Sequence, residues 1–119
     1  MTGRLTPDLT AYIEPEVLEA GGAHELIVDT GFNDCLYLPE ETITDWKLPF
    51  VISTPVSYAD GSTVITDLYE ANVIWFGATK RVTVVAGPSG CEALIGMGLL
   101  VGYRIELDEK QWEVRISKL

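Results

Sequence analysis

The sequence predicts an all-β domain, and three observations favour this fold class. Apolar and polar residues alternate with the two-residue period of a strand, most clearly over residues 103–107 and 112–116. Turn signals such as Asp60-Gly61 separate these stretches at regular spacing. The chain has 119 residues, of which 47% are hydrophobic, which suits one modest core. We therefore expect a single domain over residues 1–119, a barrel or a sandwich, with residues 1–8 as a loose arm.

The first predicted hairpin leads to an acid. Residues 9–18 alternate as a strand does, and Pro15 within them suggests an edge position or a bulge, because proline cannot donate to a ladder. Residues 20–23, Ala-Gly-Gly-Ala, form the turn. Residues 24–29 return as an apolar strand that ends at Asp29. A strand ending in a carboxylate places that acid where a sheet edge meets a cleft.

The middle of the chain combines extended and helical signals. Residues 35–38 are extended, and residues 39–46 predict one or two helical turns, since proline suits the first helical position and acids suit the first turn. Residues 50–52 predict a short buried strand. Residues 56–66 predict a hairpin whose turn lies at residues 59–62.

The second half predicts further short strands joined by turns. A long strand runs to residue 76, residues 77–81 turn it back, and residues 82–86 pair with it. The remaining elements are a short strand at 94–95, a turn or short helix at 96–101, and a final hairpin over 103–107 and 112–116. Trp112 alternates with Val114 and Ile116, which predicts a core position for its side chain.

Composition excludes several classes of partner. The net charge of −10 would repel nucleic-acid phosphates and an anionic membrane surface. The first residues contain no apolar signal-peptide region, and no stretch approaches the roughly 20 apolar residues of a spanning helix. Cys35 and Cys91 show neither metal-site spacing nor a disulfide framework, so we expect packing thiols in a reducing cytoplasm.

A shortage of histidine excludes most catalytic arrangements. His24 is the single histidine, so a site with several histidine ligands is impossible, and a Ser-His-Asp or Cys-His arrangement has one candidate base. We expect His24 to be solvated beside its Gly-Gly turn. No strand–helix junction carries a glycine-rich phosphate loop. Carboxylates remain as the candidate catalytic groups, and we expect neither a metal nor a cofactor.

Two separated motifs together resemble a known family. Asp29-Thr30-Gly31 follows the apolar run at residues 26–28, and residues 94–96, Leu-Ile-Gly, precede the pair Leu99-Leu100. This combination resembles the retroviral-type (retropepsin-like) aspartic protease family over residues 9–108. It is most similar to the small single-domain microbial branch whose triplet is followed by Phe. The resemblance implies a closed acid-protease barrel with one lobe per chain.

The resemblance also implies a reaction. Two aspartates about 3 Å apart share one proton, so that one acts as base and the other as acid, a property for which aspartic proteases are the standard example. The chain has one Asp-Thr-Gly triplet, so the pair requires a symmetric homodimer in which two Asp29 carboxylates meet on the two-fold axis. Water held between them would attack a peptide bond of a peptide or protein substrate.

The resemblance assigns roles to further residues. Gly31 lets backbone N–H groups approach the carboxylate, Thr30 directs its hydroxyl across the axis, and Gly96 lets one loop cross another. The residues implied to bind substrate, in the cleft and in a closing flap at residues 58–62, are Asn33, Asp34, Leu94, Tyr58, Ala59, Asp60 and Gly61.

Some residues depart from the family pattern. Phe32 stands where family proteases usually carry a small residue, and Met97-Gly98 replaces the Arg and the Asn or Asp of many relatives. A phenyl ring beside the aspartate would crowd or redirect the loop. An alternative is therefore a non-catalytic peptide-binding or regulatory module on the same fold, and a third is a β-barrel unrelated to proteases.

Overall fold

A computed structural model describes residues 1–57 and 59–119, in which the chain forms one twelve-stranded sheet with two short helices. The strands are β1 (Thr2–Leu5), β2 (Ala11–Ile13), β3 (Glu16–Val17), β4 (Gly22–Ala23), β5 (Leu26–Val28), β6 (Leu36–Pro39), β7 (Phe50–Ser57), β8 (Thr63–Trp75), β9 (Ala78–Gly87), β10 (Leu94–Ile95), β11 (Tyr103–Asp108) and β12 (Glu113–Lys118). The helices are α1 (Glu40–Asp45) and α2 (Met97–Leu100), and Leu18–Ala20 forms one 3₁₀ turn.

The sheet confirms the all-β prediction but not the closed barrel. Its strand order is β11-β12-β1-β2-β5-β10-β6-β9-β8-β3-β4, with β7 paired to β8. Two of its pairs are parallel, β5 with β10 and β6 with β9, and both lie at the centre of this order. Among the described residues the order has two ends, β11 and β4, so hydrogen-bonded closure of the sheet is not shown.

The core lies on the inner face of this coiled sheet. Its fully buried side chains come from eight of the strands and from α2, and the largest are Trp75, Ile13, Leu26, Leu36, Leu38, Ile95, Leu100 and Ile116. Because β5, β6 and β10 each bury apolar side chains there, the loops that follow these strands start from fixed positions. No helix among the described residues has the length and apolar character needed to cross a membrane.

The expected loose arm is wrong, because Thr2–Leu5 is a strand inside the sheet. β1 pairs with β12 on one side and with β2 on the other, and Leu5 is buried. Gly3 permits this packing, since a Cβ there would lie 1.9 Å from the carbonyl oxygen of Tyr12. The pairing joins residues more than 100 positions apart, so no local pattern in the sequence reveals it.

The strand predicted over residues 9–18 is divided at Pro15. β2 pairs with β5, and beyond Pro15 β3 changes partner and pairs with β4 and β8. The Pro15 carbonyl accepts the His24 N–H at 3.1 Å. His24 itself is half-buried with its ring edge-on to Trp46, so the expectation of a solvated side chain is wrong.

Two further expectations about burial are wrong. Phe50, Val51 and Ile52 are each at least half exposed, because they begin β7, which pairs with β8 alone. Trp112 is 44% exposed and has a φ of 54°, because it lies in the turn before β12, while Val114 and Ile116 fill the core as predicted.

Other local predictions agree with the structure or shift by a few residues. The helical turns predicted at residues 39–46 and 96–101 are confirmed as α1 and α2. The turn predicted over residues 77–81 is shorter and lies at Phe76 and Gly77, which have φ angles of 50° and 81°.

Candidate active site

Asp29 follows the last residue of β5 and is fixed by a parallel pairing. Its backbone N–H donates to the Ile95 carbonyl at 2.9 Å, and the Ile27 N–H donates to the Ala93 carbonyl at 2.9 Å. β5 and β10 therefore end side by side. The residues after each strand, the Asp29 loop and the Gly96 segment, leave the sheet at the same edge.

The Gly96 segment (residues 96–98) crosses the Asp29 loop (residues 29–35) and is tied to it by backbone hydrogen bonds. The N–H groups of residues 96, 97 and 98 donate to the carbonyls of Cys35, Phe32 and Asp34 at 2.9, 2.8 and 3.2 Å, respectively. Backbone groups in loops need such partners, because an unpaired buried group is costly. The two loops thus form one cross-braced unit.

Gly96 is required by space and not by its backbone angles. Its φ of −118° is accessible to any residue. A Cβ at this position would lie 2.4 Å from Phe32 Cδ2, 2.4 Å from the Phe32 carbonyl oxygen and 2.5 Å from the Asp34 carbonyl oxygen. This geometry agrees with the predicted crossing of two loops at Gly96.

Asp29 is half-buried as a residue, and its carboxylate accepts a hydrogen bond from the backbone two positions later in the chain. Its Oδ1 accepts the Gly31 N–H at 2.9 Å, and a Cβ on Gly31 would approach that oxygen to 3.2 Å. Thr30 between them is exposed. Such an oriented carboxylate can accept a proton from water, but one carboxylate alone supplies no acid for the leaving group.

A groove with a volume of about 590 Å³ opens over the Asp29 loop. It is lined by Asp29, Gly31, Phe32, Asn33, Asp34, Tyr37, Val56, Ser57, Ala59, Val85 and Leu94. The structure therefore brings together most of the residues proposed for catalysis and substrate binding. Thr30, Asp60, Gly61 and Gly96 do not line the groove, and Tyr58 lies outside the described residues.

The tip of the β7–β8 hairpin also lines the groove. We call residues 56–57 and 59–65 the hairpin tip. Val56, Ser57 and Ala59 face the groove. Asp60 instead closes the turn, accepting the Ser62 hydroxyl at 2.6 Å and the Ser62 N–H at 2.9 Å, and these hydrogen bonds lower the pKa of its carboxyl. Gly61 supplies the φ of 85° that this turn needs.

Sequence reasoning missed part of the groove wall. Tyr37 and Val85 are register partners on β6 and β9, and Tyr37 also faces Leu94 of β10. The signal was available in β6, where Leu36 and Leu38 are core residues and Tyr37 between them must face the other way. The pairing of β6 with β9, however, is not a local property of the sequence.

The two cysteine thiols show no sign of chemical reactivity. Burial raises the pKa of the Cys35 and Cys91 thiols, which disfavours their reactive thiolate forms. Among residues 1–57 and 59–119, no group of three or more His, Cys, Asp or Glu side chains is placed to hold a metal ion.

Comparison with solved structures identifies the fold. The crystal structure of a retropepsin-like aspartic protease from Rickettsia conorii matches with a TM-score of 0.67 and 18% sequence identity, over 98% of this chain and 88% of that one. No protein-family model and no curated protein sequence matches the chain. At this identity the likeness concerns the fold alone, which is retropepsin-like.

Proposed function

We propose that this protein is an aspartic endopeptidase that works as a homodimer. The observation that carries the proposal is that Asp29, on a cross-braced loop, lines a groove that residues of the hairpin tip also line. The retropepsin-like fold of the Rickettsia protein supports the same assignment. The proposed reaction is hydrolysis of a peptide bond.

The chemistry requires two carboxylates. A second copy of the chain would place its own Asp29 beside the first, and the exposed Thr30 would lie at that contact. Two such carboxylates hold one proton between them, because both cannot ionise together. The ionised Asp29 removes a proton from the attacking water, and the protonated one donates to the substrate carbonyl.

An extended peptide fits the remainder of the groove. Asn33 and Asp34 on the Asp29 loop line it together with Ala59 on the hairpin tip. Hydrogen-bonding groups on both sides would hold the peptide backbone over the aspartates, and the hairpin tip would exclude water. The net charge of −10 disfavours strongly acidic substrates.

The substitution Asp29→Asn tests the assignment. It should reduce cleavage of a peptide library by about a thousandfold or more, because the amide can neither accept nor relay the proton. Asp45→Asn is the matched control, since Asp45 is exposed at the end of α1 and does not line this groove. Sedimentation at pH 5 and pH 7 should find a dimer for both variants.

Two outcomes would overturn the proposal. The first is unchanged cleavage by Asp29→Asn, and the second is a strict monomer at every concentration for a chain that still cleaves peptides.

A peptide-binding or regulatory module is the second candidate function. The observation that favours it is Phe32, a large aromatic residue that lines the groove together with Asp29. A peptide that binds across the groove and stays intact for days at acidic and neutral pH would support this function over proteolysis.

A further inference from the structure

Two aromatic rings form one wall of the groove. Phe32 and Tyr37 are both half-buried and line the groove, and their rings meet edge to face with centroids 5.9 Å apart. Such a pair is a favourable contact in its own right. The position of each ring depends on what lies behind it.

Phe32 cannot move back into the protein. Behind its ring lies the backbone of Gly96, so close that even a Cβ on Gly96 would be 2.4 Å from Phe32 Cδ2. The Phe32 backbone is held as well, since its N–H donates to the Asp29 carbonyl at 3.2 Å and its carbonyl accepts the Met97 N–H at 2.8 Å. Both its backbone and its ring are therefore fixed.

Tyr37 is fixed in the same manner by a different glycine. A Cβ on Gly87 would lie 2.5 Å from Tyr37 Cζ and 2.6 Å from Cys91 Sγ, so the ring packs directly against that backbone and beside the thiol. Tyr37 also lies on β6, which pairs on both sides, with β9 and with β10. The Tyr37 ring therefore has no room to move toward Gly87.

Apolar side chains line the groove together with the two rings, although the groove also contains polar residues, among them Asp29 and Asn33. The apolar ones are Val85, Leu94 and, from the hairpin tip, Val56, and none of the described lining residues has a basic side chain. A substrate side chain that enters here contacts apolar side chains and two rings, Phe32 and Tyr37, that are packed against backbone.

We propose that Phe32 is a specificity-determining residue that limits the size of the substrate side chain next to Asp29, admitting small apolar residues such as Ala or Val and excluding aromatic ones. This inference rests on the proposed function. A fixed wall selects by size, because a side chain that is too large cannot displace it. In a two-fold dimer the wall occurs twice, so the preference should appear at two substrate positions placed symmetrically about the cleaved bond.

A peptide library in which each position carries Ala, Val, Leu or Phe tests the inference. The wild-type protein should prefer Ala or Val at the two positions. Phe32→Ala should raise kcat/KM for Phe relative to Ala there by about tenfold or more, since one methylene already changes such discrimination by that order. Phe50→Ala is the matched control, because Phe50 is exposed at the far end of β7 and does not line the groove. It should leave the preference unchanged.

Phe32→Leu guards against a general loss of structure. Leucine keeps an apolar group over Gly96 but is smaller than the ring, so it should shift the preference toward Leu and Phe by a smaller factor. Equal loss of cleavage for all four side chains in both variants, with no change in preference, would overturn the inference.

Binding separates this inference from the proposed function. Peptide affinities measured with Asp29→Asn, with and without Phe32→Ala, report the size limit without any cleavage. If the wild-type protein does not cleave any peptide, and Phe32→Ala still shifts the affinities toward Phe, the proposed function fails and the inference holds. If the protein cleaves peptides and neither preference nor affinity shifts, the inference alone fails. A protein that neither cleaves nor binds any library peptide overturns both.

Discussion

The Asp29 loop and the hairpin tip line one groove, but their backbones are held in different ways. The Asp29 loop is braced by the Gly96 segment through backbone hydrogen bonds of 2.8 to 3.2 Å, and Ile95 beneath it is fully buried. The hairpin tip depends on the β7–β8 ladder, and its Val64 and Ile65 side chains are 49% and 68% exposed.

This difference in how firmly the two segments are held agrees with the role of each segment in the proposed reaction. Local opening costs little where few apolar contacts are buried, and much where a core residue anchors the backbone. A carboxylate pair needs positions held closely, whereas a cover must open to admit an extended peptide. The contrast can be tested by substituting matched residues on the two sides.

Gly96→Ala should have the largest effect on stability. The added Cβ would meet backbone at 2.4 Å, so the two loops must separate, and we expect a loss of at least ~3 kcal/mol in the free energy of unfolding. Denaturant unfolding measures it, and peptide cleavage should fall as well. Gly22→Ala is the control, because a Cβ there meets nothing within 4 Å, and it should stay within ~0.5 kcal/mol. Equal stability of the two variants would contradict the bracing described above.

The next largest effect should come from replacing an isoleucine, and we compare one beneath the Asp29 loop with one in the hairpin tip. Ile95→Ala removes a fully buried side chain from β10 and should cost about 2–5 kcal/mol of unfolding free energy. Ile65→Ala makes the same chemical change in the hairpin tip, where the side chain is mostly exposed, and should cost less than about 0.5 kcal/mol. A large loss from Ile65→Ala would mean that the hairpin tip is packed in solution, for example against a second copy.

His24 should produce the smallest effect, through pH. Burial lowers its pKa below the ordinary value of about 6.5, so the unfolded chain binds the proton first as the pH falls. The contribution of neutral His24 to the free energy of unfolding is therefore complete above about pH 6.5. It is lost as the pH falls through the pKa that His24 has in the folded protein. Because the ring is only half-buried, we expect less than about 0.5 kcal/mol between pH 7 and pH 5.

Denaturant unfolding at several pH values measures this slope in the wild-type protein and in His24→Gln. Glutamine does not titrate, so its slope over this range should be flatter. If the slope of unfolding free energy against pH is the same in both proteins, other groups cause the loss of stability in acid. Protonation of His24 then does not affect the strand that leads to Asp29.

The sequence alone determined the features that depend on residues close to one another in the chain, which are the strands, the turns and the short helices. Strand alternation and turn signals predicted the all-β class, and the acid at the end of an apolar strand predicted where Asp29 lies. The Asp60-Gly61 turn and the short helices at α1 and α2 followed from the preferences of a few adjacent residues. Gly96 could be singled out only through its distance in sequence from Asp29 and a family resemblance.

Tertiary structure decided what depends on which strands meet. Residues 1–8 look unstructured locally, yet Thr2–Leu5 pairs with a strand more than 100 residues away. Residues 50–52 have the composition of a buried strand, but a strand with one partner leaves them exposed. The rings of Phe32 and Tyr37 meet because β6 lies between β9 and β10 and because Gly96 and Gly87 leave them no other space. Periodicity reports which face of a strand is apolar, whereas pairing and close backbone approach are properties of the assembled sheet.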